Sequence, residues 1–225
     1  MPDFAEELGR ISLFAGLDQS ELAAIAKNAF VRRLARGQVL FTQGEPSDHL
    51  FLVRSGRLRV FVASHHGEEL VLSVSGPGSA LGELSVLDRE PRSATVEALE
   101  AVELIAVPGD DARTLLETNP KALRAVAVAL AAGMRRLSGT AADLVFLDLP
   151  RRLAKLLLAE SVTRPDGTTE SRLAMSQTGV AARLGVTRQS LNRALSALAQ
   201  RSWITVDGAT IRLDDVAALT RFAEG

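Results

Sequence analysis

These 225 residues predict an α+β chain in three successive parts. Three observations carry that reading. Glycines at positions 37, 44, 56, 67, 76, 78 and 82 punctuate short β-branched and aromatic runs, the mark of a small β sandwich or barrel. From Asn119 onward a helical stretch carries an apolar seam that steps by threes and fours. A tail richer in arginine than in acid then reads as two short helices joined at a glycine and followed by a hairpin.

Taken in order, residues 4–35 read as short helices. Asp18-Gln19-Ser20-Glu21 offers an N-cap followed three residues later by a carboxylate. From Gly37 to about Val107 the strand candidates are VLFTQ, HLFLV, RLRVFVA, ELVLSV, SATVEAL and VELIAV. Asn119-Pro120 opens the long helix, whose seam runs Leu123, Val126, Leu130, Gly133, Leu137, Thr140, Leu144, Leu147. Such heptad spacing marks a helix that pairs with a copy of itself; a helix packed on its own barrel is the alternative. Leu149-Pro150 ends the segment, because the residue before proline is pushed out of the α region. Proline suits the first turn of the next helix, PRRLAKLLLAES, which places a hinge at Asp148 to Pro150. The domain boundaries expected are therefore 1–118, 119–148 and 149–225.

Composition removes several functions. Without cysteine there is no disulfide, no thiolate nucleophile, no cysteine-ligated iron–sulfur cluster and no cysteine zinc site. The longest apolar run, Ala125 to Ala132, is far short of the roughly 20 residues a bilayer span needs. MPDFAEELGR lacks a basic-then-apolar start, so the compartment expected is the cytoplasm, with no membrane partner. No general acid/base pair, nucleophile or metal-ligand spacing is apparent, and an enzyme is not expected. Net charge is −1 but unevenly spread. From Pro150 to the end, eleven Lys/Arg face seven Asp/Glu, net +4, against fifteen and twenty, net −5, before it. An acidic front joined to a basic back points to a sensor attached to a nucleic-acid reader.

Residues 175–200 carry the sharpest local signal. Val180, Ala181 and Leu184 make one amphipathic helix ending at Gly185, and Thr187 caps a second with Leu191, Ala194, Leu195 and Leu198 inward. This is a helix-turn-helix, whose second helix enters the DNA major groove. Arg188, Gln189, Ser190, Asn192 and Arg193 are placed to point outward, and Ser176, Thr178 and Thr187 open the two helices. Arginine reads guanine O6/N7 and glutamine reads adenine N6/N7 in bidentate fashion. WITVDGATIRL is a wing with Asp207-Gly208 at its tip, so Gly208 joins the DNA-binding set.

Gly82-Glu83-Leu84-Ser85 followed by Arg92-Ser93-Ala94-Thr95 resembles the phosphate-binding cassette of the cyclic AMP receptor/FNR (Crp/Fnr) family of bacterial transcription regulators. The resemblance covers nearly the whole chain. RGQVLFTQGEP and LFLVRSGRLRVF look like the family's cyclic-nucleotide-binding, jelly-roll-like β-roll. The long helix resembles its dimerisation helix, FLDLPRRLAKLLL its hinge, and the tail its winged helix-turn-helix. It implies a homodimeric, effector-controlled regulator of a palindromic operator in double-stranded DNA, with RNA polymerase as a further partner. It also implies that Glu83 accepts from the ribose 2′-hydroxyl, that the Gly82 and Leu84 backbone lines the sugar, and that Arg92 and Ser93, beside Ala94, bind the cyclic phosphate. The physics of the residues agrees, since a buried anion wants a guanidinium together with backbone and hydroxyl donors. A Glu83–Arg92 ion pair closing an empty barrel is the alternative.

Two departures from the family pattern stand out. Its adenine-contacting threonine falls at Leu137, its long-helix arginine falls at Gly133, and the serine given by the partner subunit is retained at Ser138. Thr140, one turn beyond Leu137, is a possible substitute. The implied effector is cyclic AMP, with a constitutive regulator or another effector as the alternative. The arginine–glutamate–arginine reading triplet appears as Arg188, Gln189, Arg193, which implies a half-site altered at one position. His65 and His66 beside Gly67 read as a solvated loop, haem ligation being the other reading, and His49 as structural.

Overall fold

Helices α1 (Phe4–Gly9) and α2 (Gln19–Ala26) open the chain in the computed structural model, which describes residues 4–9, 11, 14, 17–172, 176–208 and 210–224. Asp18 caps α2 as its sequence implies. Its side chain accepts from the Ser20 and Glu21 N–H groups at 2.9 Å, and Glu21 returns the bond to the Asp18 N–H at 2.8 Å. Residues 10, 12, 13, 15 and 16 of the helical reading over 4–35 lie outside the described residues. Packing divides the chain into two compact units, residues 1–62 with 72–135 and residues 63–71 with 136–225.

The helical reading to residue 35 is corrected by strand β1 (Phe30–Leu34). Arg32 and Arg33 have good helix propensity, but the ladder of Phe30–Leu34 against a later strand overrides it. There follow β2 (Val39–Phe41), β3 (His49–Ser55), β4 (Leu58–Ala63), β5 (Glu69–Ser75), β6 (Ala80–Leu81), α3 (Glu83–Asp88), β7 (Thr95–Ala98), β8 (Val102–Pro108), α4 (Gly109–Thr118) and α5 (Pro120–Phe146). All six strand candidates are present; β6, α3 and α4 had no separate reading. The strands form two sheets, ordered β1-β8-β3-β6 and β2-β7-β4-β5. The first sheet is covered on both faces. Phe51, Val53, Leu104 and Ala106 join a core shared with Phe41, Leu58 and Val96 of the second sheet. Their neighbours Leu50, Leu52, Ile105 and Val107 meet Leu8, Leu22, Ile25, Leu115 and Val126 of the helices. Strand alternation sends successive side chains to opposite faces, so a sheet buried twice reads as an unbroken apolar run.

Asn119 caps α5, its Oδ1 accepting from the Lys121 and Ala122 N–H groups at 2.9 and 3.1 Å. The seam is split between two duties. Val126 is buried and Leu130 packs beside it on the chain's own β unit, whereas Leu123, Leu137 and Leu144 are exposed.

The second unit continues through α6 (Leu149–Ala159), β9 (Ser161–Thr163), β10 (Thr169–Arg172), α7 (Gln177–Arg183), α8 (Arg188–Gln200), β11 (Ile204–Asp207), β12 (Thr210–Leu213) and α9 (Val216–Glu224). The helix break falls at Leu147–Asp148, earlier than the proline rule places it. Asp148 is extended and its side chain accepts from the Arg151 N–H at 3.0 Å, so Leu149 is helical and Pro150 sits in the first turn. The helix-turn-helix is as expected, with Gly185 at φ +65° between α7 and α8; the start of that reading at Met175 lies outside the described residues. The wing is one edge of a four-stranded sheet, β11-β12-β10-β9, and its core is continuous with Leu153, Leu157, Leu191 and Leu198.

Helix α8 ends in a Schellman turn whose left-handed residue is not glycine. The Ser202 N–H donates to Ala199 O at 2.8 Å and the Trp203 N–H to Leu198 O at 3.3 Å, with Ser202 at φ +57°. A Cβ in that region costs on the order of 1 kcal/mol. Ser202→Gly is therefore expected to raise stability by about 0.5–1 kcal/mol in thermal unfolding. An unchanged or lower midpoint would show that the serine relieves its own strain.

Candidate effector site and nucleic-acid interface

A buried guanidinium organises the first unit. Arg92 is only 3% exposed. Its backbone is fixed first: its N–H donates to Glu45 O at 2.9 Å, and its carbonyl accepts from the Gly44 N–H at 2.8 Å. Its Nη2 then donates to His49 O at 2.7 Å and its Nη1 to Gly82 O at 3.3 Å. The guanidinium carbon lies 4.2 Å from the Phe41 ring centre and 5.7 Å from that of Phe51. Nε is buried without a hydrogen-bond partner among the described residues. Among those residues no ion pair joins Arg92 to Glu83, so the closing-pair alternative is not what the structure holds. Burial pushes the Arg92 pKa down, while Asp48, Glu83 and Glu45 push it up from a distance.

Gly82 is required there for two reasons. It adopts φ +84°, and a Cβ on it would run into the Arg92 guanidinium. It also precedes α3, so Glu83 and Leu84 occupy that helix's first turn. Glu83 is half-buried, and desolvation raises its pKa above the usual carboxylate value. Leu84 and Ser93 are exposed and Ala94 is buried. Of the residues the sequence singled out for the effector, the structure thus brings Gly82 and Arg92 into contact. His49, read as structural, contributes its carbonyl, and its Nδ1 lies 2.8 Å from Asp48. Phe41 and Phe51 had no functional reading, because nothing in FTQ or HLFLV signals a stack on an arginine twoscore positions away. His65 and His66 occupy the exposed turn between β4 and β5.

Leu137, Ser138 and Thr140 lie on the part of α5 that belongs to the second unit, and all three are exposed. The Thr140 hydroxyl donates to Arg136 O of its own helix at 3.1 Å.

In the second unit the two reading helices are capped by the side chains expected. Ser176 accepts from the Gly179 N–H at 3.3 Å and Thr187 from the Ser190 N–H at 3.2 Å. Arg188, Gln189, Asn192 and Arg193 are exposed on the face of α8 opposite Leu191 and Leu195. Ser190 is half-buried, linking Thr187 at 3.1 Å and Arg193 at 3.3 Å, while Arg188 donates to Gln177 at 3.3 Å. Ser176, Thr178, Arg188 and Gly208 (φ +59°) share the rim of one cleft with an apolar floor of Leu153, Leu191 and Ile211.

Comparison with known proteins follows this division. A cyclic nucleotide-binding domain family model matches residues 31–119, and a Crp-like helix-turn-helix domain model matches residues 151–222. The chain is 31% identical over 221 residues to the CRP-like cAMP-activated global transcriptional regulator of Mycobacterium tuberculosis, covering 97% of this chain and 99% of that one. It is 31% identical over 214 residues to the cyclic AMP receptor protein of Thermus thermophilus, covering 95% and 97%. A solved transcriptional regulator of the Crp/Fnr family from Eubacterium rectale superposes with TM-score 0.77 at 20% identity, covering 95% and 98%, a likeness of fold alone.

The raised pKa of Glu83 gives a signed expectation. A carboxyl favoured as the neutral acid in the folded state contributes stability at low pH that is lost as pH rises through its folded pKa. Glu83→Gln is therefore expected to melt higher than the parent at neutral pH without effector. The gap should close on acidification, as the parent takes up its proton. Equal melting at every pH would show that the carboxylate is hydrated and not pressed by burial.

Proposed function

The chain belongs to the Crp/Fnr family of transcription regulators, and from that premise we propose that it is a homodimer switched by cyclic AMP held at Arg92. It is a DNA-binding regulator with a cyclic-nucleotide-binding domain and not an enzyme. The observation that carries the finer reading is the Arg92 guanidinium, buried without a carboxylate. An uncompensated buried cation costs several kcal/mol, and a chain that keeps one has prepared a place for an anion. A cyclic phosphate meets that need, with the Ser93 hydroxyl alongside and Glu83 accepting from a sugar hydroxyl. The relatives named as cAMP-activated and as a cyclic AMP receptor support the choice of nucleotide.

Three parts share the work: a sensor over 1–118, a dimerisation helix over 119–148 and a DNA reader over 149–225. Leu123, Val128, Met134, Leu137, Leu144, Val145 and Phe146 leave α5 rich in exposed apolar surface, which supports pairing with a second copy. Effector binding shifts the population toward one setting of the Asp148 hinge, which spaces two recognition helices about one DNA turn (roughly 34 Å) apart. DNA places the regulator in the cytoplasm, with RNA polymerase as its downstream partner. A second reading, an effector with a different base, rests on Leu137, which offers no hydrogen bond where the family pattern has a threonine.

Calorimetry separates these readings. With cyclic AMP one site per chain is expected, and Arg92→Ala should weaken it at least about 100-fold while leaving the fold and the dimer intact. Binding of neither cyclic AMP nor cyclic GMP would overturn the cyclic nucleotide and leave the altered base end as the reason.

The half-site gives an independent check. Arg188 and Arg193 keep guanine contacts, and Gln189 is expected to favour adenine where glutamate accepts from cytosine. Selection of bound sequences from a random pool should return a half-site changed at that one position, and Gln189→Glu should shift it to cytosine. The family's usual half-site from the unaltered protein would refute this assignment.

A further inference from the structure

The positive charge of the second unit is not evenly neutralised. Arg164, Arg183 and Arg212 pair with Glu170, Glu160 and Asp214 at 2.6, 2.7 and 2.6 Å, and Lys155 with Asp143 at 2.7 Å. Arg152 donates to Leu184 O at 2.8 Å. Among the described residues, those given no carboxylate partner are Arg136 on α5, Arg152 and two further sets. Arg188 and Arg193 belong to the recognition face. The other set is Arg151 and Arg201, which lie over aromatic rings, with Arg221 exposed near them in the chain.

Trp203 and Phe222 lie 5.2 Å apart, half-buried at the edge of the core. The Arg201 guanidinium, on an exposed residue, sits 4.8 Å from the Trp203 ring and 5.1 Å from the Phe222 ring. Arg151 reaches the Phe222 ring from α6 at 5.6 Å, with its Nε unpartnered. Arg221 is exposed beside Phe222 in the chain. Stacked guanidiniums keep their N–H edges free for carboxylates, and the half-exposed indole and phenyl rings offer an apolar face between them.

We propose that this arginine–aromatic patch is a docking surface for an acidic protein segment carrying an aromatic side chain. The choice of a protein over DNA rests on the recognition face assigned above. Both reading elements point their other ends at DNA. Arg201 follows the C-terminus of α8, about 20 Å along the helix from Arg188. Trp203 stands at the base of the wing, about 13–17 Å of strand from its tip at Gly208. The turn between them is held in a left-handed conformation at Ser202, which fixes Arg201 against Trp203.

Trp203 is the only tryptophan of a chain without tyrosine, so its fluorescence reports on this patch alone. The full-length protein is titrated with the peptide acetyl-EEFEE-amide, with acetyl-KKFKK-amide as control. Saturable change in Trp203 emission is expected with the acidic peptide only. Arg201→Glu and Arg151→Glu should each weaken it about five- to tenfold, with melting and DNA binding of the variants retained. Arg201→Gln serves if the reversal variant does not fold, with a smaller loss expected. No saturable change, or equal affinity in the variants, overturns the proposal. So does displacement of the peptide by random-sequence duplex DNA, which would make the patch a nucleic-acid surface. Each readout is independent of cyclic nucleotide, so a failed effector reading leaves it standing.

Discussion

The two sheets of the first unit meet at one cation. Strand β3 supplies the His49 carbonyl and Phe51, β2 supplies Phe41, the turn after β6 supplies Gly82, and the segment leading into β7 supplies Arg92 itself. Dry interiors tolerate charge poorly, and a carboxylate would be the simplest counterweight. The chain uses carbonyl oxygens and ring faces instead, which hold the guanidinium in place without neutralising it. That choice fixes its neighbours. Position 82 must be glycine, since the close approach of Arg92 leaves no room for a Cβ and the backbone there is left-handed. Position 83 begins a helix beside the cation, and its carboxyl is pressed toward the neutral acid. A site so arranged leaves the guanidinium without a direct ion pair among the described residues, the feature on which the proposed anionic effector rests.

Much of this was legible because local chemistry and tertiary demand agree. The Asp18 cap, the six strand runs, the Thr187 cap and the Gly185 turn each follow from residue types at fixed spacing, and each is present. The failures have a common origin. Strand β1 contains Arg32 and Arg33, which suit a helix, and only its pairing with β8 makes it a strand. Leu149 precedes proline yet is helical, because the Asp148 cap starts the helix ahead of it. Strands β9 and β10 are short and polar, and gain their place from the wing beside them. In the site, glycine and arginine of the cassette were readable, whereas the aromatic stack and the His49 carbonyl were not. A carbonyl has no sequence signature, and a phenylalanine reads the same whether it faces a core or a cation.

The second unit illustrates how net charge misleads and pairing informs. From Pro150 onward the excess of four positive charges is small, but carboxylates cancel several arginines where they stand. Among the arginines given no carboxylate partner, Arg188 and Arg193 stand on the exposed face of α8 and Arg151 and Arg201 beside Trp203 and Phe222. Exposed ion pairs contribute little to stability, so their main effect is on where unpaired charge is left. A recognition helix and an arginine–aromatic patch at its opposite end are then two outlets of one distribution.

Helix α5 divides its apolar surface between the β unit and solvent. Its first turns are bound to the β unit through Ala122, Val126 and Leu130, so that end is not free to choose a partner. Beyond Gly133 the helix leaves Met134, Leu137, Leu144, Val145 and Phe146 in water, with Met134, Val145 and Phe146 more than 70% exposed. Apolar surface on this scale gains roughly 25 cal/mol for every Å² covered. In the proposed homodimer the gain is realised mainly along the outer half of the helix, with Leu123 and Val128 adding exposed apolar surface nearer its start. The same half carries Leu137, Ser138 and Thr140, the positions that the family pattern assigns to the effector's base. The inner end of α5 is anchored to the β unit, while its outer end offers apolar surface to a second copy in the proposed homodimer. The outer half leads directly to the Asp148 cap, since α5 ends two residues before it and α6 begins immediately after it.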